Sequence, residues 1–290
     1  MEIEILRKTE SPDELFCQAA RGDYYGGFVG DTPLSELMEN VSWEDYHLDG
    51  LADILHEEGS SAHHYVSGTI EGYLNEENAL DESIILEVKK RAFIEKQLSH
   101  GHYGPAEHAQ ITFTVEGVSR ALMAQITRHR FITFDVQSQR YADFSDKNVI
   151  VPPTFLSDNA RHERYPHVYD ANGDHFSRES GKFEMDEETR EYWRNAYLYE
   201  QREQFGFYED LVEAGFPKED ARFVLPIGTP VNMTFSANAR TLLHLVNIRK
   251  KANAQWEIHE LSAQLLEELS DWAPLTFNWY QENGPIRLSP

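Results

Sequence analysis

The sequence predicts an α+β fold, on three observations. Ile111, Phe113 and Val115 alternate with polar residues, as do Val231, Met233 and Phe235, and a period of two marks half-buried strands. Apolar residues recur at a helical period over Leu80 to Leu98, and Glu187 to Glu213 reads as a long helix. These segments are mixed without regular strand–helix–strand alternation, which favours α+β over a doubly wound sheet.

Taken in order, Met1 to about Ser61 is polar and acidic, with loop signals at Ser11-Pro12-Asp13 and Gly26-Gly27. Leu80 to Leu98 carries Ile84, Ile85, Val88, Phe93 and Ile94 on one helical period, and Gly101, Gly104 and Pro105 end it. After the first strand, Val118, Leu122, Met123 and Ile126 have helical spacing. Arg128-His129-Arg130 is then expected at that helix's C-terminal end, where the helix dipole favours cations. In a continuing helix Arg128 and Arg130 point to nearly opposite sides and can serve two ligands.

Leu156 to Glu184 is rich in Asp, Asn, Gly, His and Arg without periodicity, and reads as a long surface loop or insertion. The helix Glu187 to Glu213 is stopped by Gly215, with Pro217 just beyond; Pro217 can begin a short helix running into Arg222. After the second strand come helical stretches from Ala239 to Arg249 and Ala254 to Leu269. No repeat, low-complexity tract or inter-domain linker is visible.

The 290 residues suffice for a sizeable core, and 40% hydrophobic with 12% aromatic content is too much for a disordered chain. No apolar run approaches membrane-spanning length and the first residues lack a signal-peptide pattern, so a soluble, cytoplasmic protein is expected. One cysteine, Cys17, excludes an internal disulfide and points to a reducing compartment. Fifty acidic against 26 basic residues give a net charge of −24. That charge argues against a general nucleic-acid binder, and with few lysines it suggests adaptation to concentrated salt. An anionic ligand must find a local island of positive charge.

Such an island is written in Arg128-His129-Arg130, then seven residues, then Ser138-Gln139-Arg140-Tyr141. Arginine's planar fork suits phosphate and the polar edge of a planar ring, and clustering arginines costs repulsion that an anionic ligand would offset. Three other segments accompany it: His102-x-x-Pro105-x-Glu107-His108, then Ala221-Arg222-Phe223-Val224-Leu225-Pro226, then Asn238-Ala239-Arg240-Thr241-Leu242 continuing to Arg249 and Ala254-Gln255-Trp256-Glu257-Ile258. Together, in this order, they resemble the signature of the flavin-dependent thymidylate synthases, over roughly residues 100–150 and 217–275.

That resemblance implies methylation of deoxyuridylate (dUMP) to thymidylate. The carbon would come from 5,10-methylenetetrahydrofolate and the hydride from FAD reduced by NADPH, with no cysteine nucleophile. It implies a central, mostly antiparallel sheet flanked by helices. Residues 1–290 would form one domain of a homotetramer, with an N-terminal extension (about 1–60) and an acidic insertion loop (about 156–184). Carried over by position, Arg249 would contact the uracil carbonyl edge and stabilise negative charge on the ring. Arg140 and Arg222 would hold the nucleotide, chiefly its phosphate, and Gln125, Arg128, Gln137, Ser138 and Gln139 would line the same pocket. His108, Gln110, Arg128, His129, Arg130, Phe131, Asn238, Arg240 and His244 fall at or beside flavin-contacting positions.

The chain departs from the family pattern at several places. Thr133 stands where Ser is common, Asp135-Val136 replaces an Asn-Glu pair, His244 stands where Asn is frequent, and Asn253 where His or Glu is common. None removes an arginine. Ser138 has no local base pattern and reads as a hydrogen-bonding residue. His63-His64 and His100, His102 and His108 lack a recognised metal spacing, so no metal is expected. Two other readings stay open: a flavin- or nucleotide-binding relative without methylation, and arginines that merely pair with the acidic surface.

Overall fold

The computed structural model describes residues 1–41, 82–142, 144, 149–156, 168–169, 175–176, 186–251 and 253–286. In chain order the longer elements are β1 (Glu2–Lys8), α1 (Pro12–Gly22), α2 (Leu34–Leu37), α3 (Glu82–Ser99), β2 (Gln110–Ser119), α4 (Arg120–Ile126), β3 (Thr133–Val136), β4 (Val168–Tyr169) and β5 (His175–Phe176). There follow α5 (Glu187–Glu213), α6 (Lys218–Ala221), β6 (Pro230–Asn238), α7 (Ala239–Arg249), α8 (Trp256–Trp272) and α9 (Pro274–Asn283). The chain divides into two compact units. One comprises Met1–Lys8, Ile111–Ala237 and His244–Leu266; the other Thr9–Gln110, Asn238–Leu243 and Glu267–Pro290.

The first unit is built on a four-stranded sheet in the order β1-β2-β6-β3. β1 runs antiparallel to β2, with Ile3 opposite Val115 and Ile5 opposite Phe113, and the register shifts between Ile5 and Arg7. β3 runs antiparallel to β6, with Phe134 opposite Phe235. Between them, Thr112 bonds Ser236 at 2.9 Å and the Gly117 N–H donates to Asn232 Oδ1 at 3.2 Å, so numbers rise on β2 as they fall on β6. The predicted alternation is realised: Ile111, Phe113 and Val115 are buried, as are Val231, Met233 and Phe235. The Phe113 and Phe235 rings sit 5.4 Å apart, and Phe134 and Phe235 5.9 Å apart. Helical faces add to this unit's core, among them Leu122 and Ile126 of α4, Leu245 and Val246 of α7 and Leu261 and Leu265 of α8, each side chain contributing about 2 kcal/mol by its burial.

The helix α5 has the predicted bounds. Asp186 caps it, its Oδ1 accepting from the Thr189 N–H at 2.8 Å. At the other end Gly215 adopts φ +94, with its N–H on Val212 O and that of Phe216 on Leu211 O. This pair of bonds satisfies carbonyls that the helix leaves open, and it needs a residue without a Cβ penalty at its centre. The same device ends α3, where Gly101 (φ +79) donates to Leu98 O and His102 to Gln97 O.

The second unit packs α1 against α3 and α9. It buries Phe16, Cys17 and Ala20 from α1 and the predicted Val88, Phe93 and Ile94 from α3. α9 follows Ala273, which has no capping group, and Asp13 of α1 serves instead. Its Oδ2 accepts from the Leu275 N–H at 2.9 Å, and its Oδ1 from the Thr276 N–H at 3.2 Å and hydroxyl at 2.6 Å. Burial raises the Asp13 carboxyl pKa, against the lowering by these bonds. Lys90 lies nearby, paired with Glu14 at 3.3 Å and with Glu87.

Two expectations are corrected. The polar N-terminal stretch, where the sequence shows only loop signals at Ser11-Pro12-Asp13 and Gly26-Gly27, also holds β1, α1 and α2. Most of β1 is half-buried or exposed, so its short Glu-Ile-Glu-Ile alternation is stabilised chiefly by pairing to β2, far along the chain. The arginine motif follows the C-terminal end of α4, as expected, but does not continue the helix, which stops at Ile126. Arg128 and His129 N–H groups bond back three residues, to Gln125 O and Ile126 O, which tightens the chain into a turn. Arg128 and Arg130 therefore do not project from opposite sides of one helix. The start of the predicted helix at Leu80, His63-His64 and most of the stretch from Leu156 to Glu184 lie outside the described residues; of that stretch, β4 and β5 form a short antiparallel pair.

Candidate active site

The first unit gathers its motif residues into two clusters. The first forms where the turn after α4 meets the end of α7. Ser119 caps α4 by accepting the Leu122 N–H on its hydroxyl at 3.0 Å, and the short helix then delivers Gln125 and the turn carrying Arg128, His129 and Arg130. Arg249, the last residue of α7, donates its Nε–H to His129 Nε2 at 2.8 Å and points a terminal nitrogen at Gln125 O, 3.5 Å away. The His244 ring meets that of His129 edge-on at 6.1 Å.

Accepting at Nε2 requires His129 to be neutral, with its proton on Nδ1. The surroundings enforce this. Desolvation, then the charges of Arg249, His244 and Arg128, lower its pKa from 6.5 to about 4. Desolvation and Arg128 also lower that of Arg249, yet a guanidinium stays charged at any ordinary pH. The result is a fixed cation held by a neutral partner, with its other N–H groups in a planar fork. Such a fork matches the carbonyl edge of a planar ring or a carboxylate.

The second cluster follows β3. Gln137 extends the strand pairing, its N–H donating to Asn232 O at 2.8 Å while its Oε1 accepts the Asn232 N–H at 3.4 Å. Ser138 closes a turn: its hydroxyl accepts the Arg140 N–H at 3.2 Å and its carbonyl accepts from Tyr141 and Ala142. A hydroxyl so used is a hydrogen-bonding group, in keeping with the sequence reading. Gln139 is buried, whereas Arg140 faces outward with its guanidinium 5.5 Å from the Tyr141 ring centroid. Its Nε pairs with Glu219 Oε2 at 2.8 Å, and Arg222 Nε donates to the Glu219 carbonyl at 3.0 Å.

Arg120 joins this island, its pKa lowered by desolvation and then by the neighbouring charge of Arg222. Sequence reasoning missed both Arg120 and Glu219. The only signal for Glu219 was its place one turn before Arg222; nothing local marks its pairing with Arg140.

The remaining flavin candidates lie in the second unit. His108 is exposed at the end of a short helical turn, Gly104–Glu107. Gln110 donates from its N–H to the Thr9 hydroxyl at 2.9 Å and from its side chain to Glu107 O at 3.2 Å. Asn238 caps α7, its Oδ1 accepting the Thr241 N–H at 2.8 Å, and Arg240 is paired with Glu107. Burial raises the Tyr103 hydroxyl pKa, with the Arg240 charge opposing.

Cys17 is wholly buried in α1, and burial followed by the Asp13 charge pushes its thiol pKa far up. A thiol kept protonated and sealed from solvent is no nucleophile. Among the described residues no group of three or more His, Cys, Asp or Glu is arranged to hold a metal ion, and no helix is long and apolar enough to cross a membrane.

The family model for the thymidylate synthase complementing protein matches residues 4–275, a wider span than the motifs alone. A flavin-dependent thymidylate synthase of Haloarcula marismortui is 38% identical over 282 residues, covering 97% of this chain and 96% of that protein. One from Halobacterium salinarum is 38% identical over 293 residues, covering 100% of each. Among solved structures, a UMP/dUMP methylase, PolB from Streptomyces cacaoi bound with 5-Br dUMP, shares the fold with a TM-score of 0.66 at 18% identity, over 98% of this chain and 95% of that one. A family match across nearly the whole length, with full-length relatives at 38% identity, settles the assignment: the chain belongs to the flavin-dependent thymidylate synthase family.

Proposed function

We propose that this chain methylates dUMP to thymidylate, with 5,10-methylenetetrahydrofolate as carbon donor, FAD reduced by NADPH as hydride source, and no cysteine nucleophile. The observation that carries the reading is Arg249 held against neutral His129 at 2.8 Å. Uracil is a weak electrophile, and a cation fixed in advance at its carbonyl edge stabilises the negative charge that builds there, with little reorganisation. His129 fixes the direction of the fork without neutralising it. Gln125 and Arg128 border the same space.

Arg140 and Arg222 receive the phosphate of dUMP, with the turn at Ser138 setting the direction of Arg140. Gln137 anchors the strand end that carries this turn, and Gln139 lies buried within the turn. The donor set fits a flavin as well. Arg128 and Arg130 are exposed cations suited to phosphate, and the neutral His129 ring, with His244 edge-on to it, offers an edge suited to a heterocycle. When bound, FAD supplies the redox chemistry; the protein's residues bind and orient. Phe131 lies in the turn beside them; His108, Gln110, Asn238 and Arg240 are proposed as flavin contacts from the family pattern alone. Asn238 and Arg240 would contribute through the atoms left after capping α7 and pairing Glu107.

Residues 1–290 are read as one catalytic domain that works as a homotetramer. Supporting this, Phe131, Tyr141 and Phe223 directly follow Arg130, Arg140 and Arg222 and are 86%, 79% and 83% exposed, a costly arrangement unless another copy covers them. The acidic composition and the Haloarcula and Halobacterium relatives support a salt-adapted cytoplasmic enzyme. Replacing Arg249 tests the assignment: R249A should abolish thymidylate formation while the protein keeps its flavin. An R249A enzyme with near-normal turnover would refute the role.

A further inference from the structure

Glu257 is 2% exposed and belongs to the first turn of α8. A buried carboxylate is costly unless its oxygens are satisfied, and here one residue takes both. Oε1 accepts the Ser119 N–H at 2.6 Å, and Oε2 accepts the Ser119 hydroxyl. The same hydroxyl accepts the Leu122 N–H and so caps α4. Glu257 is itself pinned, since Gln255 Oε1 accepts both its N–H at 3.0 Å and that of Ile258 at 3.2 Å.

These contacts form a two-point grip on α4. This helix is a rigid rod of seven residues, about 10 Å long. At its start it is held by Glu257, and at its last turn and just beyond by Arg249, through Gln125 O and His129 Nε2. Arg249 and Glu257 are joined by one short connection between α7 and α8. A carboxylate is the side chain able to accept two donors from one residue at once, which fixes Ser119 in rotation as well as distance.

We infer that Glu257 is a positioning residue for the methylation reaction, setting where the turn after α4 meets the Arg249 guanidinium. The inference rests on the proposed role of Arg249. Loss of the grip lets α4 shift along its axis, and misplacement by about 1 Å costs on the order of a hundredfold where orientation matters.

The test compares E257Q, S119A and the double variant with L265A, a core truncation about two turns further along the same helix and outside the motif segments. For each, the melting temperature, flavin content, dUMP KM and kcat are measured. The inference predicts that E257Q and S119A each raise the dUMP KM about tenfold and lower kcat, and that the double variant is no worse than the more impaired single one. L265A loses at least as much melting temperature yet keeps its KM within twofold. Kinetic constants in E257Q and S119A that follow L265A, or losses that multiply in the double variant, would overturn it. Should E257Q not fold, S119A against L265A decides alone. A wild-type protein with no flavin response to dUMP would instead overturn the reading of the site, and this inference with it.

Discussion

Arg249 and His129 meet through one hydrogen bond, Nε to Nε2 at 2.8 Å, that exists only while the imidazole is neutral. The two residues lie far apart in sequence, one closing α7 and the other in the turn after α4. The bond holds the charge of Arg249 in place, while desolvation and then that charge lower the proton affinity of His129.

This bond makes the site sensitive to acid. The folded pKa of His129 lies near 4, below its ordinary 6.5, so the unfolded chain binds the proton more tightly. The stabilisation is therefore complete above pH 6.5 and is lost as the pH falls toward 4. Protonation also sets a cation against Arg249 and breaks the acceptor. Affinity for dUMP, measured by titration from pH 8 to pH 3.5, should lose its His129-dependent part only as the pH falls through about 4, and H129Q, which cannot titrate, should flatten that step. A step centred near pH 6.5 that H129Q removes would contradict the neutral-histidine account.

Arg140 should matter to the nucleotide and little to the fold. Its ion pair with Glu219 joins side chains that are 51% and 46% exposed, and such pairs contribute no more than about 1 kcal/mol. R140A should raise the dUMP KM about tenfold or more, with a shift in melting temperature of a few degrees at most. Deoxyuridine, which lacks the phosphate, should bind wild type and variant alike. Equal losses for nucleotide and nucleoside would move Arg140 away from the phosphate.

The absence of thiol chemistry can be checked directly. Cys17 is sealed inside the second unit with its thiol held protonated. C17A should retain thymidylate formation within a few-fold, with stability lower by about 1 kcal/mol from the small void. A well-folded C17A that forms no thymidylate would show that the cysteine takes part.

The helices that the sequence disclosed are those with a strong local signal. Gly215 and Gly101 stop α5 and α3 because each must adopt positive φ, a requirement legible in one residue. The strand pair at Phe113 and Phe235 was equally plain from its period of two. β1 was missed because its stability comes from β2, more than a hundred residues on, and α9 because its N-terminal cap is Asp13, supplied from α1. The site follows the same rule. The arginines could be named from their motifs, but the Glu219–Arg140 pair and the Glu257–Ser119 clasp join residues from separate segments, and only folding brings them together.

The most direct test of the account is the visible absorption spectrum of the protein purified in high salt, recorded before and after adding dUMP. The account predicts an oxidised-flavin spectrum that shifts on adding the nucleotide, because the residues assigned to both ligands share the turn around His129. A colourless protein that takes up no FAD and gives no response to dUMP would contradict it, and would leave the arginines as partners of the acidic surface.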